Sequence, residues 1–154
     1  MRSKENLLLN PDFIDILSAF SDEKVEYLVV GAFAMAFHRY LRATGDIDLW
    51  IRNSDENADK VWQALSKFAA PLSDVSKADL STPEMVFQIG VEPNRIDILT
   101  AISSVDFNTA WNRRITFEFG SLSISVIDKT SLLQNKRATN RPKDAGDILW
   151  LESE

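Results

Sequence analysis

With 154 residues, 45% of them hydrophobic and 26% charged, the sequence is expected to form one globular domain over residues 1–154 with material for a single core. It has no cysteine, which excludes disulfides and thiolate zinc sites, and no apolar run approaches the roughly 20 residues of a membrane span. A net charge of −6 argues against a broad basic surface for nucleic acid. The N-terminus, Met1-Arg-Ser-Lys-Glu-Asn, lacks the apolar centre of a signal peptide, so a cytoplasmic location without membrane contact is expected.

Asn10 followed by Pro11 predicts a helix start, and Phe13, Ile14, Leu17 and Phe20 form its apolar stripe. Tyr27 to Val30 reads as a short strand ending at Gly31, and Ala32 to Leu41 has helical composition. Asp46 to Ile51 alternates polar and apolar residues like a half-buried strand. A helix is predicted over Ser54 to Phe68, with Val61, Leu65 and Phe68 on one side and Trp62 beside them. Met85 to Ile89 and Arg95 to Leu99 read as strands joined by a turn at Gly90-Val-Glu-Pro-Asn94. Asp106 caps a short helix through Trp111, and Ile115 to Phe119 and Leu122 to Ile127 pair around Gly120-Ser121. Two closing helices are predicted, one over Thr130 to Thr139 and one opening at Arg141-Pro142. Strands and helices mix without strict alternation, so the fold class is α+β.

The chemistry is concentrated in carboxylates. Asp is depleted in strands, yet Asp46 and Asp48 interrupt a strand-like run, and residues i and i+2 share a face. Ile47, Leu49 and Ile51 then point to the core, and Trp50 shares the Asp face, where it is expected to wall a site. Asp97 repeats the pattern, flanked by Ile96 and Ile98. If the two strands are neighbours, three carboxylates converge, a set that suits one or two divalent cations. Gly31 closes a strand and opens a helix, where amide groups attract phosphate. Lys129, Lys136, Arg137, Arg141 and Lys143 form a local positive excess that suits a small polyphosphate or, equally, a solvated helix. His38, the one histidine, reads as a half-buried helix residue; Trp62, Trp111 and Trp150 read as core.

These residues resemble the nucleotidyltransferases of the DNA polymerase beta superfamily. Its members carry a Gly followed by Gly or Ser, a helix, an Asp-x-Asp or Asp-x-Glu strand, and a third carboxylate on a later strand. The sequence is similar to minimal stand-alone bacterial members, including AbiE-type toxins, in Tyr27-Leu-Val-Val-Gly31, Arg42-x-Thr44-x-Asp46-Ile-Asp48, Arg95-Ile-Asp-Ile-Leu-Thr100 and Asn135-Lys-Arg-x-x-x-Arg-Pro-Lys-Asp144. Together these span about Val25 to Leu151. The resemblance implies a polymerase beta-like fold, a mixed sheet flanked by helices. It also implies Mg²⁺ (one or two ions, with Mn²⁺ able to substitute) on Asp46, Asp48 and Asp97, the last assisting deprotonation of the acceptor. Gly31 and the Ala32 amide would cradle the β- and γ-phosphates, and Lys136 would reach the nucleotide, with Arg141, Lys143 and Asp144 close by. Arg42 and Thr44 would orient Asp46 or touch phosphate. Asp144 and Asp147 can instead serve the first turn of the last helix. Ala32 departs from the pattern because it offers no hydroxyl.

The expected activity is transfer of a nucleoside monophosphate from an NTP to a hydroxyl of RNA, protein or a small molecule, with a cognate protein partner completing the acceptor surface. Two alternatives stay open. One is a catalytically weak or inactive nucleotide-binding module, for instance within a toxin–antitoxin pair; the other is a structural protein with a solvated acidic patch.

Overall fold

The computed structural model describes residues 9–40, 45–91 and 93–154. Arg42 and Thr44, and Glu92 of the predicted turn, lie outside the described residues. The elements are α1 (Pro11–Asp22), β1 (Tyr27–Val30), α2 (Gly31–Phe37), β2 (Ile47–Ile51), α3 (Asp55–Lys67), β3 (Val86–Ile89), β4 (Ile96–Leu99), α4 (Phe107–Asn112), β5 (Ile115–Phe119), β6 (Leu122–Val126), α5 (Lys129–Thr139) and α6 (Ala145–Ser153). Short 3₁₀ turns at Ala78–Ser81 and Pro142–Asp144 complete the order.

The helix starts follow from capping chemistry. The side chains of Asn10, Ser54, Asp106 and Asp128 accept from the backbone amides of Phe13, Asn57, Thr109 and Ser131, each satisfying a donor that the first turn leaves free. The predicted helix from Ala32 shortens to α2, because Arg39 takes a left-handed φ of 82° beyond the C-cap His38.

The six strands form one mixed sheet in the order β3-β4-β2-β1-β6-β5, as the α+β expectation requires. β2 lies antiparallel to β1 and parallel to β4, and β1 lies parallel to β6. The two predicted hairpins are present as the antiparallel pairs β3/β4 and β5/β6. Ile47, Leu49, Ile51 and Ile98 are fully buried, and Phe13, Ile16, Leu17 and Phe20 of α1 belong to the same core. Burial of that apolar surface is the main force holding the sheet and helices together. Ile16, outside the predicted stripe, is buried with Phe13, Leu17 and Phe20, whereas Ile14 lies at the margin. Among the described residues no helix is long and apolar enough to cross a membrane.

Candidate active site

Register brings the carboxylates together. The parallel ladder of β2 and β4 sets Asp48 directly opposite Asp97, and the antiparallel ladder of β1 and β2 sets Asp48 opposite Val30. Gly31, next after Val30, therefore meets the same carboxylate. A Cβ on Gly31 would stand 2.5 Å from Asp48 Oδ2, and Gly31 takes a φ of +68°, a conformation that costs an L side chain energy. Gly45 is equally constrained by space, since a Cβ there would run into the carbonyl of Pro93. This contact ties the start of β2 to the turn before β4.

Replacing Gly31 by Ala is expected to cost about 1–3 kcal/mol of stability from backbone strain and the close contact. Melts of Gly31→Ala, Asp48→Ala and the double variant separate the two sources. Removing the carboxylate should recover the steric part and leave the φ penalty; strict additivity would show that the two residues do not meet.

The expected convergence of three carboxylates takes an altered form. Arg95 donates from Nε to Asp97 Oδ1 at 2.7 Å and from Nη2 to Asp97 Oδ2 at 3.1 Å. Its Nη2 also lies 3.6 Å from Asp46 Oδ2, and its backbone amide donates to Asp46 Oδ1 at 2.9 Å. Among the described residues, no three His, Cys, Asp or Glu side chains are grouped so as to hold a metal as they stand. Asp48 nonetheless lies in an environment short of positive charge. Burial, the charge of Asp97, a hydrogen bond with Asp97 and the charge of Asp46 push its carboxyl up to about 7, against a smaller opposing pull from Arg95. Hard oxygen donors crowded at one end of adjacent strands fit a divalent cation, provided the Arg95 guanidinium gives way.

A cavity of about 470 Å³ opens beside Asp48 and Gly31, a size suited to a small ligand. Lys136 and Arg141 line it too, so four of the expected site residues share one cavity. Its apolar wall of Val30, Val86, Leu99 and Ile102 had no counterpart in the sequence reading. Half-exposed Val86 shows this wall only once the structure is known.

The basic excess proves to be largely neutralised from within. Lys136, only 4% exposed, sits 3.5 Å from Asp144 and 3.1 Å from Asp147, both of which are buried. Lys136, expected to reach nucleotide phosphate, lines the cavity while its ammonium pairs with both acids. Arg137 pairs with Glu152 and Lys129 with Glu154. Arg141 lines the cavity while its guanidinium bonds both oxygens of Asp144. Burial alone would raise the Asp144 carboxyl; bonds from Arg141 and Thr139, the Arg141 amide and the charge of Lys136 outweigh it and hold it well below the usual range. Asp144 and Asp147 thus serve the interior at the start of α6 rather than the cavity surface, and exposed Lys143 does not line the cavity.

Ala32, in the first turn of α2, is partly exposed. His38 is buried; its Nε2 lies 2.7 Å from the Ile127 carbonyl and its ring stands edge-on to Phe117. Trp50 is corrected as well. It is 2% exposed and packs edge-on against Phe107 of α4, so it walls no site.

No protein-family profile matches the sequence, and no curated protein matches it. The fold matches the crystal structure of a candidate nucleotidyltransferase from Thermotoga maritima, with a TM-score of 0.60 and 17% identity over 96% of this chain and 97% of that one. At that identity the likeness establishes a nucleotidyltransferase-like α+β architecture.

Proposed function

We propose that this chain is a metal-dependent nucleotidyltransferase of the polymerase beta type, moving a nucleoside monophosphate from an NTP to a hydroxyl with release of pyrophosphate. The observation that carries the proposal is the register of Asp48 against Asp97, with Asp46 and Gly31 beside them, at the mouth of a cavity that Arg141 also lines. Asp46, Asp48 and Asp97 are the residues that would hold Mg²⁺ or Mn²⁺. The chemistry supplied by such an ion is neutralisation of phosphate charge during in-line displacement.

The chain's own residues supply position and charge. Gly31, free of a side chain, lets phosphate approach the first turn of α2, where the Ala32 amide is the donor and no hydroxyl assists. Arg141 lies half-exposed at the cavity, its fork held by Asp144, and the N–H groups not spent on that pair would meet anionic oxygens. Lys136 and Asp144 fix the wall from which Arg141 projects. The apolar surface of Val86, Leu99 and Ile102 offers the nucleoside a dry face. Asp97, once the Arg95 guanidinium gives way, would assist deprotonation of the acceptor. Arg42 and Thr44 would complete the segment entering Asp46, and Lys143 would add charge at the rim. On the resemblance to stand-alone and AbiE-type nucleotidyltransferases, a cognate protein partner would complete the acceptor surface.

The test is thermal unfolding of wild type and the Asp46→Asn/Asp48→Asn variant with Mg²⁺ and each NTP, followed by transfer of α-labelled nucleotide to RNA and protein acceptors. Specific binding stabilises by mass action, so at a hundred times Kd the gain is about 2.7 kcal/mol. A shift with one NTP, in wild type alone, and labelled product is the expected result. A shift without product supports the catalytically silent module; no shift with any nucleotide sinks the nucleotide site.

A further inference from the structure

Among the described residues, Arg95 is the cation that bonds the carboxylate cluster, and its geometry matches what a metal would need. Two residues before Asp97, it falls on the same side of the chain as that carboxylate at the start of β4. Its fork fills one bonding position on each Asp97 oxygen, at 2.7 and 3.1 Å, and reaches toward Asp46 Oδ2 at 3.6 Å. The Arg95, Asp46 and Asp97 side chains are each no more than 23% exposed, so water screens these contacts weakly. Bidentate pairing of guanidinium with carboxylate uses the same in-plane lone pairs that a chelated cation uses. Its positive charge therefore sits on Asp97 and beside Asp46, on oxygens that an ion would take.

Resting on the metal-dependent reading above, we infer that Arg95 is a resident counter-ion that competes with the divalent cation for Asp97 and Asp46. The cluster is held together by the arginine without metal, and an ion binds by exchange. Asp48, opposite Asp97 and weakly compensated, is where an arriving ion gains most. The guanidinium it releases stays tethered at the rim of the site. Arg95 acts here on ligand availability and is a positioning residue; it need not touch the reacting atoms.

The experiment is Mn²⁺ binding to the full chain without nucleotide, by electron paramagnetic resonance and calorimetry at pH 8. The proteins are wild type, Arg95→Gln, Arg95→Lys and Asp48→Asn. Removing charge-assisted bonds that compete with the ion should tighten Mn²⁺ binding by roughly tenfold or more in Arg95→Gln. Arg95→Lys, which keeps a charge but loses the fork, should fall between. Without metal the Gln variant should melt below wild type, and Mn²⁺ should recover the loss. A merely structural arginine would give the lower melting temperature without the tighter binding. Asp48-dependent Mn²⁺ binding in wild type that is equal or weaker in both Arg95 variants overturns the exchange while leaving the metal site standing. Should the Gln variant fail to fold, Arg95→Lys decides alone. Absence of Asp48-dependent binding in every protein overturns the metal-dependent reading, and the exchange with it.

Discussion

Replacing Lys136 by Met is expected to lower the stability of the protein by about 3–5 kcal/mol, the usual cost of stranding buried carboxylates. Lys136, Asp144 and Asp147 are all at most 4% exposed, so neither acid can recover its lost partner from water. In a chain of this size that corresponds to a fall in melting temperature on the order of 6–20 °C. Asp144 keeps its bonds from Arg141 and Thr139 when Lys136 is replaced. Combining Lys136→Met with Asp147→Asn should restore part of the loss, because it removes one of the two buried negative charges that Lys136 offsets. Equal melting of wild type and Lys136→Met would mean that the ion pair is not buried as described.

Asp48→Asn is expected to do two opposed things. Near neutral pH without metal it should stabilise the fold, because it removes a carboxylate that burial and two acidic neighbours disfavour. The sign follows from proton linkage. The folded protein keeps the Asp48 proton up to about pH 7, whereas the unfolded chain releases it near 4. Wild type therefore loses stability as pH rises through that window, and the penalty is complete above it. The Asn variant lacks this contribution and can donate to Asp97 as the protonated acid does. The gap should be near zero at pH 4 and reach on the order of 2–4 kcal/mol at pH 8. Melts from pH 4 to 8 measure it; a gap of constant size would refute the charge crowding. If the proposed function holds, the same variant should lose transfer activity by about a thousandfold or more, since the carboxylates, the ion they would hold and the triphosphate would act as one unit. A gain in stability paired with loss of activity is the mark of a site organised for charge it does not itself contain.

Much of this arrangement was legible in the sequence where the signal was local. Asn10-Pro11, Ser54 and Asp106 announced helix starts because a cap acts within three residues. The paired carboxylates of β2 and the single one of β4 were legible because strand alternation fixes the face. That β2 and β4 are parallel neighbours was not, since parallel pairing leaves no short-range trace and here links residues some fifty positions apart. Trp50 failed for a related reason. Alternation gave its face correctly, but Phe107 of α4 covers that end of the strand. The pairing of Lys136 with Asp144 and Asp147 was not legible, because these acids come from the turn and helix that follow, a docking that composition does not encode. Arg95 was within reach of the same i, i+2 argument applied to Asp97, and only its chemistry as a competing cation needed the structure.

The pairing of α5 with the chain's last residues has a wider consequence. Lys129, Lys136, Arg137 and Arg141 each meet an acid that lies between Asp144 and Glu154. The final helix and the turn before it thus set an acid against each of these cations, so that this face carries little net positive charge. A chain cut after Arg141 would shed those acids, and an acidic protein would acquire one adhesive basic ridge.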